Sequence, residues 1–169
     1  MNMLVYALML LGVAPSGWQM VYEGQQGLDT YVYANGDQVV LAIQGTETLT
    51  DLLAILVRRV AGYDDRYLDL AAGFGVDAVV GHSAAGGLAS WIGYELGVPS
   101  VTFNAAVPTD QAMLNDGTRQ TNVVVTGDVW GDPSNGRAHL AGTYVYLPSV
   151  PPGTNAHAMT TVVEILTSP

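Results

Sequence analysis

Three residues of this chain carry the chemistry of a nucleophilic relay and occur in the order hydroxyl, carboxylate, imidazole: Ser83, Asp128 and His157. A serine hydroxyl is a weak nucleophile until a base takes its proton, and the base in turn needs an acid that fixes its tautomer. Ser83 sits in "VVGHSAAGG", between an apolar run of strand length and a helical stretch that begins with small residues. Such a context suits a tight strand-to-helix turn that holds the hydroxyl exposed, because strand and helix nearly collide there and only small neighbours fit. Gly81, Ala84, Ala85, Gly86 and Gly87 meet that need. Asp128 closes the apolar run of "VVVTGDVW", and His157 opens "HAMTTVVEILT". Both lie at element ends, where an open α/β sheet gathers its ligands.

Other residues compete for these roles. Asp132 is the alternative acid, but "GDPSNG" is a turn sequence in which it can bind its own backbone, so Asp128 is preferred. His139, in the polar stretch "SNGRAHLAG", is the rival base. His82 reads as a packing or hydrogen-bonding residue that points away from the active face. Three dispersed histidines without i, i+4 pairing do not suggest a metal site, and the absence of cysteine excludes thiolate catalysis, disulfides and thiolate-bound metals. No cofactor is expected.

The elements that must position these groups follow from periodicity. "MNMLVYALMLLGVA" predicts a core helix ending before Pro15. "WQMVYEG" and "LDTYVYANGDQVVLAIQG" read as strands, with Asn35-Gly36 as a type I′ hairpin turn. Leu49, Leu52, Leu53, Leu56 and Val60 share one helical stripe, and "YDDRYLDLAAGFG" predicts a short helix closed by glycine. Then come a strand in "VDAVVG", a helix in "AAGGLASWIGYELG", strands in "PSVTFNAAV", "NVVVTGD" and "GTYVYLP", and a terminal helix. This alternation predicts an α/β layered fold with a mostly parallel central sheet after an N-terminal antiparallel hairpin, formed as one domain over residues 1–169.

Composition narrows the function. Apolar residues make up 49% and charged residues 12%, enough apolar material for a well-buried core. The net charge is −10, with no lysine and no basic cluster beyond the pair Arg58 and Arg59, so a nucleic-acid footprint is missing. An acidic surface is also repelled by anionic headgroups unless salt screens it, which leaves at most peripheral membrane contact. The apolar N-terminus is too short for a membrane span and lacks the positive region of a secretory signal, so a cytoplasmic location is the default expectation.

Taken together, "VLAIQGTETLTDLLAIL", "VVGHSAAGGLA", "VVVTGDVW" and "NAHAMTTVVEIL" resemble, in order, four segments of the class 3 lipases, the α/β-hydrolase family of fungal triacylglycerol lipases. The resemblance runs from about Val39 to Leu166 and implies a three-layer α/β-hydrolase fold. It assigns Ser83 as nucleophile, Asp128 as acid, His157 as general base, and the backbone N–H groups of Thr46 and Ala84 as the oxyanion hole. Thr46 and Thr48 can also cap the helix that follows. Two features depart from the family pattern at the elbow and the oxyanion turn: Ala85 stands where glycine is usual, and Gln44 where arginine is usual. Only 36 residues separate Thr46 from Ser83, which leaves little chain for a mobile lid; the stripe of residues 49–60 is read as core packing, with a lid as the alternative. The implied activity is hydrolysis of carboxylic esters of small molecules or lipids, by a lipase, phospholipase or esterase. The rivals are a thioesterase or acyltransferase with the same residues, or a non-catalytic binding or assembly protein of the same fold.

Overall fold

In the computed structural model, which describes residues 2–25, 28–45, 65–106, 117–135 and 140–169, the strands run side by side in chain order. Strands β1 (Gln19–Gln25), β2 (Asp29–Asn35) and β3 (Gln38–Ile43) form an antiparallel meander. From β3 onward pairing is parallel, through β4 (Ala78–His82), β5 (Ser100–Phe103), β6 (Gln120–Val125) and β7 (Thr143–Leu147). The helices are α1 (Met3–Leu10), α2 (Asp65–Phe74), α3 (Ala84–Leu96) and α4 (Met159–Thr167).

Alternation along the strands divides the core into two faces. Tyr31, Tyr33, Val40, Ala42, Val80, Val101, Phe103, Val123 and Val125 pack with Ala7, Met9 and Leu10 of α1 and Met159 and Val162 of α4. Val32, Leu41, Ile43 and Val79 face the other way, onto Tyr67 and Ala71 of α2 and Ala85, Leu88, Ala89 and Ile92 of α3. The result is the expected three-layer, α/β-hydrolase-like sandwich with a mostly parallel sheet and an antiparallel start. Every residue of β4 is buried, as a central parallel strand covered on both faces requires.

On β5 and β6 the second face turns polar. Ser100, Thr102, Gln120 and Asn122 are buried there and bond to one another: Thr102 Oγ1 and Gln120 Nε2 each donate to Asn122 Oδ1 at 2.8 Å, and Ser100 Oγ donates to Gln120 Oε1. Asn122 Nδ2 then donates to the Ala141 carbonyl at 3.1 Å, so the row is satisfied and joins β6 to the segment leading into β7.

The hairpin differs from expectation in its turn. Asn35 pairs with Gln38, so the two connecting residues are Gly36 and Asp37. Of the two, only Gly36 has positive φ, at 59°. That is the requirement of a type II′ turn, whereas a type I′ turn would need positive φ at both central residues. The N-terminal apolar segment is a short helix on the core; Asn2 caps it by accepting the N–H of Leu4 at 3.2 Å, and it ends well before Pro15. Among the described residues no helix is long and apolar enough to cross a membrane. The helical stripe of residues 49–60, Thr46, Thr48, His139 and the pair Arg58 and Arg59 lie outside the described residues.

Candidate active site

Ser83 stands between β4 and α3 with φ 53° and ψ −124°, one of two non-glycine residues with positive φ among those described. Its backbone is held on both sides: its N–H donates to the Phe103 carbonyl at 3.0 Å, and its carbonyl accepts the N–H groups of Gly86 at 3.0 Å and Ala106 at 2.9 Å. These bonds force the sharp turn, and they leave the side chain out of the helix cap; Ser83 occupies the capping position without making a side-chain cap bond. A left-handed serine backbone costs of the order of 1–3 kcal/mol, and it persists where the surroundings over-determine it.

Small neighbours make the turn possible. A Cβ on Gly81 would strike the Ala85 carbonyl and come within 2.7 Å of the Ala89 methyl, and one on Gly86 would lie 2.5 Å from the Ala105 methyl. Gly45, two residues past β3, touches the elbow in the same way: a Cβ there would run into the His82 carbonyl and lie 2.8 Å from Ser83 Cβ. Ala85 is accommodated because its methyl points into the α2–α3 side of the core.

The three residues singled out by type and order converge. His157 Nε2 lies 2.7 Å from Ser83 Oγ, and His157 Nδ1 lies 2.9 Å from Asp128 Oδ2. Asp128 Oδ1 accepts the N–H groups of Trp130 at 3.0 Å and Gly131 at 2.5 Å. One oxygen therefore anchors the carboxylate to its own turn while the other faces the imidazole. His157 sits two residues ahead of α4, in the loop from β7, and its N–H donates to Asn155 Oδ1 at 3.1 Å. Ala84 is the first residue of α3, directly after Ser83.

Asp132 is committed to structure. Its Oδ2 accepts the Gly127 N–H and its Oδ1 the Ser134 N–H, both at 2.9 Å, so it closes the turn that presents Asp128. Burial pushes its carboxyl up, but the bonds from Gly127 and Ser134 outweigh this and hold it below the usual carboxylate range.

One expectation is corrected. The turn sequence predicts an exposed Ser83 hydroxyl, but Ser83 has no exposed area, and Gly45 packs close to it; the His157 side chain beside it is 17% exposed.

Two further residues touch the His157 loop: His82, expected to pack or hydrogen-bond away from the active face, does hydrogen-bond but lies against His157, and Asn104 has no motif of its own in the sequence. His82 is fully buried, its Nε2 lies 2.8 Å from the His157 carbonyl, and the two rings stand 5.0 Å apart. Burial first, and the neighbouring His157 second, lower its pKa to about 4. Asn104 has φ 45°; its Nδ2 donates to the Ala156 carbonyl at 2.9 Å, and its Oδ1 accepts the Val125 N–H at 2.9 Å. Among the described residues no group of three or more His, Asp or Glu is arranged to hold a metal ion.

No protein-family model matches the chain. Over 117 residues, 63% of the chain, it is 37% identical to the extracellular phospholipase A1 of Serratia liquefaciens. It spans 35% of the length of that relative. Among solved structures, the crystal structure of the Lip2 lipase from Yarrowia lipolytica is similar at a TM-score of 0.47 and 16% identity, covering 78% of this chain and 66% of that one. The resemblance of the chain to lipase-like proteins thus extends to a curated relative, without singling out the class 3 group.

Proposed function

We propose that this chain is a serine hydrolase of carboxylic esters, with Ser83 as nucleophile, His157 as general base and Asp128 as the acid that orients it. One observation carries the reading: the line from Ser83 Oγ through both nitrogens of His157 to Asp128 Oδ2, at 2.7 and 2.9 Å, on a positive-φ turn between strand and helix. His157 Nδ1 carries the proton that faces Asp128, so Nε2 is free to accept the Ser83 proton as Oγ bonds to the acyl carbon. The carbonyl oxygen becomes an oxyanion, held by the N–H groups of Ala84 and Thr46. His157 then gives its proton to the departing alkoxide, leaving an acyl-serine. Water attacks this ester, its proton passes to His157, and collapse returns the proton to Ser83 and releases the acid. Each oxyanion donor contributes roughly 2.7–4 kcal/mol to the barrier reduction when judged by removal.

The substrate class we infer is an acyl ester of a glycerophospholipid or a related lipid, supported by the 37% identity to a phospholipase A1. That relative is described as extracellular, which favours action outside the cytoplasm over the cytoplasmic default.

A panel of p-nitrophenyl esters, phosphatidylcholine, triacylglycerol and an acyl thioester, run on the purified chain and on Ser83→Ala, tests the proposal. Oxyester turnover that disappears in Ser83→Ala, together with fluorophosphonate capture of Ser83, is expected. Folded wild-type protein that neither turns over an ester nor captures the label would return the fold to a binding role, and a clear preference for the thioester would make it a thioesterase.

A further inference from the structure

We propose that His82 and Asn104 form a two-donor clamp on the backbone of the His157 loop, positioning the imidazole between Ser83 and Asp128. The inference rests on the hydrolase reading above and goes beyond its three side chains and oxyanion donors.

The loop between β7 and α4 belongs to no sheet. Its described internal bonds are local: Thr154 N–H to the Pro151 carbonyl at 3.1 Å, Ala158 N–H to the Asn155 carbonyl at 3.2 Å, and His157 N–H to Asn155 Oδ1 at 3.1 Å. Such bonds shape a loop without fixing where it lies against the sheet. Packing of Val150 and Ala156 on the core seats the loop, and bonds across long stretches of chain fix its backbone beside His157. His82 Nε2 reaches the His157 carbonyl at 2.8 Å from 75 residues away. Asn104 Nδ2 donates to the Ala156 carbonyl at 2.9 Å and lies 3.4 Å from the His157 carbonyl.

The chemistry fixes the roles. A carbonyl only accepts, so His82 must carry its proton on Nε2, which leaves Nδ1 as a bare acceptor. Nδ1 is buried and has no hydrogen-bond partner among the described residues. An unpaired buried polar atom costs on the order of 1–3 kcal/mol, so a residue that merely filled space on this face would be apolar, as Val80 is. The bond to His157 is the feature that offsets this cost.

Asn104 is determined in the same way. The Val125 N–H requires its amide oxygen on one side, and the two loop carbonyls require its NH₂ on the other, so the amide has one orientation. Glycine would suit φ 45° better, and asparagine adds the donor that glycine lacks. Gly131, whose N–H binds Asp128, packs so closely on Asn104 that a Cβ there would lie 2.7 Å from Asn104 Cα. Asn104 thereby ties the turn of the acid to the loop of the base. Since a misplacement of about 1 Å at a reacting group can cost roughly a hundredfold in rate, control of the His157 backbone bears on catalysis.

The test compares His82→Leu, His82→Gln and Asn104→Gly with wild type, by kcat and KM on a soluble ester, thermal melting, and the proton resonance of His157 Nδ1–H. The Gln side chain places an N–H near the position of His82 Nε2, while Leu supplies none. His82→Leu and Asn104→Gly should lower kcat by roughly 10- to 100-fold with KM within about threefold, and His82→Gln should recover most of the loss. A folded His82→Leu with kcat within about twofold of wild type, or a His82→Gln as impaired as His82→Leu, would overturn the clamp. If His82→Leu does not fold, Asn104→Gly decides on the same criterion. Wild-type protein that shows neither ester turnover nor fluorophosphonate capture of Ser83 overturns the hydrolase reading alone. The clamp is then judged by the His157 resonance, which His82→Leu should shift; an unmoved resonance refutes it.

Discussion

Gly45 lies against His82 so closely that any side chain at position 45 would run into the His82 carbonyl, with Ser83 Cβ also in the way at 2.8 Å. The segment after β3 and the turn that carries Ser83 are therefore in backbone contact, although 36 residues lie between Gly45 and His82 in the sequence. Gly45→Ala should displace the turn, with overpacking of about 1–3 kcal/mol read as a lowered melting temperature. Fluorophosphonate capture of Ser83 should slow in parallel. Unchanged melting and unchanged labelling would mean that the turn yields without consequence.

Asp128 and Asp132 lie in one turn and have divided tasks. Asp128→Asn should lower kcat by up to about 10⁴-fold, because an amide cannot hold the His157 tautomer as a carboxylate does. Asp132→Asn leaves the line to Ser83 intact and removes an acceptor for the Gly127 or Ser134 N–H, so it should cost roughly 1–3 kcal/mol of stability with a much smaller loss of kcat. Paired kinetics and urea unfolding check this; the reverse pattern would make Asp132 the acid.

Burial of neutral His82 gives stability a pH dependence. Its pKa is lowered in the fold from 6.5 to about 4, so the unfolded chain takes up the proton first as the solution is acidified. The stabilisation is complete above pH 6.5 and is lost as the pH falls toward about 4, by about 3 kcal/mol in all. Urea unfolding at several pH values should show this loss in wild type and a shallower dependence in His82→Gln, which has nothing to titrate there. Parallel curves for the two proteins would refute the assignment.

The net charge of −10 bears on lipid surfaces. At low salt, hydrolysis of zwitterionic phosphatidylcholine vesicles should exceed that of vesicles rich in phosphatidylglycerol, and raising salt toward about 0.5 M should narrow the gap as repulsion is screened. A preference for the anionic vesicles at low salt would point to a local basic contact that overrides the overall charge.

The order and kind of the described elements are legible in the sequence because strands and helices are set by side-chain periodicity and local punctuation. The apolar run before Gly81, the small residues on either side of Ser83 and the glycine closing α3 at Gly97 are local features, and they specify a strand, a tight turn and a helix without knowledge of anything distant. The parallel sheet follows from the same alternation. Local reading fails where contacts join remote segments. Even the hairpin register, with Asn35 opposite Gln38, is fixed by the pairing of whole strands, which outweighs the preference of the Asn-Gly pair. The choice between carboxylates is the local exception: the turn sequence already favours Asp128, and in the fold Asp128 turns an oxygen toward His157 while Asp132 gives both oxygens to nearby backbone N–H groups. The burial of Ser83, the reach of His82 across 75 residues and the bridging place of Asn104 exist only once β4, β5 and β6 lie side by side. Sequence spacing carries no information about such distances; strand order does, because it brings the ends of neighbouring parallel strands to one edge of the sheet.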